Sequence, residues 1–379
     1  MESNVLYDAA IIGGGLAGLS LSIQLAQNGY RVILFEREEY PFHRVCGEYI
    51  SLESWEFVKG LGIPLESLNL PIIKRLQVSS PSGNSLYTNL DLGGFGISRY
   101  KLDELLFQNA KMLSVEILER TKVSDITYDG ACFSTSTDKA TYKSKITVGA
   151  FGKRSNLDIK WNRQFTKKKN SKLNNYIGIK YHITGKFDND LIALHNFKNG
   201  YCGVSKIEDD KYCMCYLTTA QNLAESNNSI EKMEQQILSA NPHLKSLFLN
   251  TTRVFSSPVT ISQISFDKKE LVYNNVICIG DAAGMITPLC GNGMSMAFKS
   301  SQILNTLVTR FLESKITFAQ LKSLYINNWE KEFKTRLNLG RQVQSLFGNK
   351  IITNLFIGFL KLLPATTKLL IKKTHGQPF

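Results

Sequence analysis

Residues Tyr7 to Glu36 read YDAAIIGGGLAGLSLSIQLAQNGYRVILFE. A short apolar run, Ala9 to Ile12, has the composition of a buried strand and meets Gly13-x-Gly15-x-x-Gly18. A helical segment follows to about Gln27, Gly29 is placed to cap it, and a second strand, Arg31 to Phe35, ends on Glu36. Gly13 permits the tight turn, Gly15 lets the backbone approach a pyrophosphate, and Gly18 lets helix and strand pack closely. The helix N-terminus offers unpaired N–H groups to the phosphates. Glu36, 21 residues beyond Gly15, is placed to accept hydrogen bonds from an adenosine ribose, and its charge disfavours a 2′-phosphate. The stretch predicts a Rossmann-like dinucleotide-binding start for FAD or NAD, with NADP disfavoured at this site.

A second stretch separates the two dinucleotides. Val276 to Phe298 read VICIGDAAGMITPLCGNGMSMAF: a strand over Asn275 to Ile279, then Gly280-Asp281, then Pro288, and Gly291-Asn292-Gly293 opening a helix to about Phe311. A carboxylate at a strand end can hold a polyol, and a glycine-rich helix start aims N–H groups at a developing negative charge. NAD has no polyol chain, whereas FAD has a ribityl chain and a ring edge that becomes anionic on reduction.

The pairing of the early GxGxxG…E with the late GDAAxxxxPxxGxG resembles the FAD-dependent aromatic hydroxylase and geranylgeranyl reductase superfamily. Three further stretches carry the resemblance. Arg99 to Leu106, RYKLDELL, is similar to the family's R-x-x-L-D-x-x-L helix start, whose Arg lies near the FAD phosphates. Gly149 to Ser155, GAFGKRS, is similar to G-A-D-G-x-x-S. Arg44 to Ser51, RVCGEYIS, is similar to the R-x-C-G-E segment beside the flavin in the geranylgeranyl reductase-like branch. Motif and resemblance together give the candidate cofactor-binding residues Gly13, Gly15, Leu16, Ala17, Gly18, Glu36, Arg37, Arg44, Arg99, Val123, Gly280, Asp281, Pro288, Gly291, Asn292, Gly293 and Met294.

The sequence also departs from the pattern. Phe151 stands where the hydroxylases carry Asp. Gly200 to Lys206 read GYCGVSK where the reductases show G-Y-x-W-x-F-P, so Gly203 and Ser205 replace large groups over the flavin, and Tyr201, Gly203 and Ser205 are the substrate-side candidates. The W-x-W-x-I-P signature of related flavin halogenases is absent, Trp55, Trp161 and Trp329 being far apart, which disfavours halogenation.

The resemblance implies a FAD-dependent oxidoreductase acting on a hydrophobic substrate. Two reactions stay open: hydride transfer to a carbon–carbon double bond, or flavin-hydroperoxide monooxygenation of an aromatic or polyketide-like ring. Cys46, beside Arg44, is the candidate proton donor for the first, with His43 and Tyr49 as alternates. Only one dinucleotide fingerprint is present, so NAD(P)H or another electron donor is expected to bind transiently. A flavin-free lipid escort protein is the rival, disfavoured by Glu36 and Asp281.

The expected fold is mixed α/β: a Rossmann-like FAD-binding domain over residues 1–155 and 271–330, split by an inserted β-sheet substrate domain over 156–270, with 70–98 as a candidate addition, and a basic helical region over 331–379. Leu191 to Ala220 alternates around a Glu208-Asp209-Asp210 turn, a hairpin signal, with Cys213 and Cys215 read as small buried hydrophobes on one strand face.

The chain of 379 residues carries 45 Lys+Arg against 32 Asp+Glu, is 43% hydrophobic and 20% charged, and has seven scattered Cys with no zinc spacing, so no metal site is expected. A reducing cytoplasm is the default, and no secretory signal is visible. The net +13 is local. Ile159–Phe187 and Phe333–Phe379 each hold eight cations and no acid, and the remainder nets −3. That distribution argues against nucleic acid as a partner. Within the first basic segment, Lys167-Lys168-Lys169 reads as a solvated surface loop. Ile351 to Leu363, IITNLFIGFLKLL, is too short to span a bilayer and is stopped by Pro364. It suits either a helical cap on the substrate domain or a helix lying on an anionic membrane, with peripheral attachment at the inner face as the corresponding location. Oligomeric state is left open.

Overall fold

Two sheets organise the chain, a computed structural model that describes residues 2–167, 175–285, 292–374 and 376–379. The first sheet runs, edge to edge, Val272–Tyr273, Val276–Cys278, Thr141–Gly149, Glu2–Ile12, Val32–Phe35 and Glu116–Leu118. All neighbours except the outermost hairpin are parallel. Strands buried on both faces need covering on both: helices cover one face, and Val123, Ile126 and Phe133 of a β-hairpin, with Leu157 and Trp161, cover the other. Leu16–Gln27 packs against one face and is apolar nearly all round, with Leu16, Leu19, Leu21, Ile23 and Leu25 buried. It lies between the sheet and the helices Arg99–Met112 and Gly293–Leu312, whose Leu102, Leu106, Phe298 and Leu304 share its core. The Glu2–Ile12 strand begins well before Ala9, and the hairpin Val123–Tyr128 and Phe133–Thr137 extends the sheet beside Thr141–Gly149.

The second sheet has nine strands, ordered Thr251–Arg253, Tyr176–Gly185, Tyr212–Thr219, Gly200–Lys206, Leu191–Phe197, Ile72–Ser79, Ser85–Gly96 and Tyr49–Ser51, with Val259–Ile264 also pairing Tyr176–Gly185. Two separate excursions from the nucleotide fold build it. They join where Leu191–Phe197 runs parallel to Ile72–Ser79. The chain leaves the first sheet beyond Trp161, since Leu157 and Trp161 pack with Tyr7, Phe133 and Val276. Leu191 to Ala220 makes three strands and so two turns, of which the Glu208-Asp209-Asp210 turn is the second. It is tied down because Glu208 accepts from Ser98 N at 2.8 Å at the start of the Arg99–Met112 helix.

The basic segment after Ile159 is not uniformly solvated. Arg163 and Lys180 are fully buried in ion pairs. Composition alone does not distinguish a cation with a buried partner from one in water. Lys167 is exposed, and Lys168 and Lys169 lie outside the described residues.

Three helices close the chain: Phe318–Ser345, Lys350–Leu362 and Pro364–Thr374. Pro364 ends one helix and begins the next, where its missing N–H costs nothing. Among the described residues, no single helix is long and apolar enough to cross a membrane.

Candidate active site

One cavity of about 660 Å³ lies at the carboxyl ends of the first sheet's strands and is walled on its other side by the second sheet. Ile12, Phe35, Ala150 and Ile279, each at or just beyond a strand end, line it, the position where open α/β sheets bind ligands. Gly13, Gly15, Leu16, Ala17, Glu36, Arg37, Arg44, Cys46, Arg99, Val123, Tyr201, Gly203, Ser205, Gly280, Asp281, Gly293 and Met294 all line it, as do His43 and Tyr49. Gly18 and Asn292 do not line it. Pro288 and Gly291 fall outside the described residues.

The glycine-rich turn divides its work as the spacing predicts. Gly13 has φ +107, and a Cβ there would sit 2.5 Å from the Ala150 carbonyl oxygen. A Cβ at Gly18 would run into the Gly13 carbonyl oxygen. At Gly15 a Cβ would meet only the Arg99 guanidinium, at 3.9 Å. The space over Gly15, at the N-terminus of the Leu16–Gln27 helix, is therefore open for a pyrophosphate. Around it Glu36 accepts from Gly14 N at 2.9 Å, Arg37 N at 2.8 Å and Arg44 Nη2 at 2.9 Å. Buried Asp103 fixes both arginines, accepting from Arg44 Nε at 3.0 Å and Arg99 Nε at 2.7 Å.

At the far end Gly280, at φ +58, begins a single 3-10 turn through Ala282. Two cations hold this turn by its carbonyls. Lys269 Nζ donates to the Asp281 and Lys153 carbonyls at 2.8 Å each. Arg163 donates to the Ala282 carbonyl at 3.3 Å and to Asp158 at 2.9 Å. Burial pushes the Lys269 ammonium down to about 8. Neither Lys269 nor Arg163 stood out in the sequence, because both act on backbone atoms and belong to no motif.

Between these ends the RVCGEY segment crosses the cavity wall, tied to the second sheet. Lys153 Nζ donates to the Val45 carbonyl at 3.3 Å, Cys213 Sγ to the Cys46 carbonyl at 3.2 Å and Ser205 Oγ to the Gly47 carbonyl at 3.4 Å. Glu48, buried and at φ 56, takes hydrogen bonds from Lys180 Nζ and from Arg99 N at 2.8 Å, with His182 Nε2 at 2.6 Å. Burial pushes the Glu48 carboxyl up, but Lys180 and His182 outweigh it and hold it at about 2. This cluster was missed in the sequence because its partners lie more than 130 residues apart. Cys213 is buried and Cys215 half-buried, and burial raises both thiols, Cys215 to about 12. Thiols so raised hold few thiolates. Among the described residues, no group of three or more His, Cys, Asp or Glu is arranged to hold a metal.

Half-buried His43 and buried His195 set a pH dependence. Burial, with Lys180 and His182 nearby, lowers His43 to about 4, and burial with His243 stacked on it lowers His195 to about 3. A lowered folded pKa means that unfolding takes up protons between the ordinary value near 6.5 and the folded value. Stability is therefore full above pH 6.5 and falls as pH drops toward 4. Thermal unfolding followed across that range should show a steady fall, and a flat profile would contradict these placements.

The turn, Glu36, Asp281 and the helix start at Gly293 all face one cavity, as expected of a FAD-dependent oxidoreductase. A family model described as FAD binding domain matches residues 6–314, and the chain belongs to that family. Among its relatives, conditioned medium factor receptor 1 of Dictyostelium discoideum is 24% identical, over 91% of this chain and 71% of that protein. Digeranylgeranylglycerophospholipid reductase of Methanocaldococcus jannaschii is 24% identical, over 87% of this chain and 81% of that protein. The solved structure of the flavin-dependent brominase Bmp2 superposes with a TM-score of 0.79 at 18% identity, covering 98% of this chain and 93% of that one.

Proposed function

We propose that this chain uses FAD to reduce a carbon–carbon double bond of an apolar, polyene-like substrate. The observation that carries the reading is the continuity of the cavity. It runs from the phosphate-binding turn past Cys46 to a patch of Leu194, Leu217, Ile261, Ile264 and Met285. When bound and reduced by a transient electron donor, FAD would supply the hydride. The chain's own residues hold, shield and protonate. Gly15 and the Leu16–Gln27 helix start would hold the pyrophosphate, Glu36 the ribose and Asp281 the ribityl chain, while the Gly293–Leu312 helix start would stabilise negative charge on the reduced ring. Cys46 lines the cavity and would give the proton to the second carbon. One dinucleotide fold leaves NAD(P)H, or another donor, to visit transiently.

Gly203 shapes the substrate side. Tyr201, Gly203 and Ser205 alternate on one face of Gly200–Lys206 and line the cavity. A Cβ at Gly203 meets Leu194 at 3.4 Å, ordinary contact, so a larger side chain there extends into the cavity. Gly203→Trp should keep its FAD and lose turnover of long apolar substrates, with short substrates less affected. Equal loss for both would contradict a shape role.

The test is to reduce the FAD-loaded protein without oxygen and add a prenyl polyene. Stoichiometric reoxidation with a saturated product is expected. Reoxidation only by O₂, with oxygenation of an aromatic compound, would favour the monooxygenase reading instead. Cys46→Ala should retain FAD and slow reoxidation by the polyene about 100-fold or more; an unchanged rate would remove Cys46 from the chemistry.

A further inference from the structure

The Lys350–Leu362 helix is apolar on both faces. Thr353, Ile357 and Leu360 are buried against the body. The opposite stripe, Ile351, Leu355, Phe359 and Leu362 at helical spacing, is exposed by 70%, 70%, 51% and 81%. A buried helix needs two apolar faces, but a helix on the surface of the body does not. Leu363 and Leu369 continue the exposed apolar surface onto the Pro364–Thr374 helix. Lys350, Lys361, Lys368, Lys372 and Lys373 are exposed on the same two helices, and no acid occurs after Glu332.

We propose that this helix pair is a docking surface for an anionic lipid bilayer, with the apolar stripe sunk to the acyl boundary and the lysines at the headgroups. Charge decides the occupant. A second copy of the chain would set ten lysines against one another with no acid between them, whereas an anionic headgroup layer neutralises all five. The bend between the helices, 111°, suits lying on a membrane better than crossing it.

The surface also adjoins the cavity. Ile371 of the second helix packs in one apolar cluster with Tyr49, Ile73, Leu90 and Ile192, and Tyr49 and Ile192 line the cavity. A bilayer held here abuts the cavity wall at Tyr49 and Ile192. The docking itself stands whatever reaction the flavin carries out.

Co-sedimentation of the full-length protein with phosphatidylcholine vesicles, with and without phosphatidylglycerol, tests the proposal. Binding is expected only to the anionic vesicles, weakening as salt is raised. Lys368→Gln with Lys372→Gln and Lys373→Gln should weaken it about 100-fold, at about fivefold for each lysine near an anionic surface. Leu355→Ser with Phe359→Ser should also abolish binding. Both sets change exposed side chains, so FAD content and melting temperature should stay at wild-type values and report an intact fold. The proposal is overturned if wild-type protein stays in the supernatant, or if binding survives both sets. It is equally overturned if light scattering shows a dimer that Leu355→Ser and Phe359→Ser dissociate, since the stripe would then be a self-association face.

Discussion

Gly15→Val should give a folded protein that no longer holds FAD. The open space at Gly15 is where a pyrophosphate would lie, and a Cβ placed there clashes with no protein atom, its nearest neighbour being Arg99 at 3.9 Å. The valine therefore adds no strain to the apoprotein and instead fills the ligand's place. Losing two charge-assisted hydrogen bonds to the helix start corresponds to roughly 3–6 kcal/mol, or about 100-fold or more in affinity. Gly18→Val makes the contrast, because its side chain runs into the Gly13 carbonyl and should disrupt the turn itself. Equilibrium FAD titration with parallel circular dichroism separates the two outcomes. Loss of native spectrum in Gly15→Val, or undiminished FAD affinity, would show that the turn does not cradle the phosphates.

The second large effect concerns the charge pair that joins cofactor segment to substrate sheet. Lys180→Met leaves the buried Glu48 carboxylate without its principal counter-charge. Removing one partner of a buried pair costs roughly 3–5 kcal/mol, which lowers the melting temperature by on the order of 10 °C. His182 and the Arg99 amide still contact Glu48, so collapse is not expected. The Glu48 carboxyl should then protonate more readily, and the acid side of the stability profile should move upward, because a depressed carboxyl loses its contribution as pH falls from about 4.5 through its folded value. A melting temperature within a degree or two of wild type would mean that Lys180 and Glu48 are not coupled.

The legible parts of this molecule are those where local chemistry and fold agree. Gly13, Gly15, Gly18 and Glu36 are set by a turn whose spacing is dictated by a strand, a helix start and a phosphate, so the pattern is readable within thirty residues. Asp281 and Gly293 are readable for the same reason at the other end of the cavity. The Glu48–Lys180–His182 cluster was not, because it exists only once two distant segments pair, and a buried lysine has no local signature. Arg163 and Lys269 illustrate the same point, acting on carbonyls that any residue supplies. The addition of 70–98 to the second sheet was open to reading, but its parallel junction with Leu191–Phe197, across more than a hundred residues, is not something hydrophobic alternation can specify. The segment Ile351 to Leu363 was readable in length, as Lys350–Leu362, but not in orientation, since it is apolar on both faces and only packing shows which face is covered.

Flavin content measured on the purified, full-length protein bears most directly on the central claim that the two acids and the two glycine-rich helix starts face one FAD site. The wild type should carry, or take up on reconstitution, one FAD per chain with an oxidised flavin absorbance band, and Asp281→Ala should lose that occupancy while remaining folded. A colourless wild-type protein that fails to bind added FAD, or an Asp281→Ala variant with full flavin content, would contradict the account.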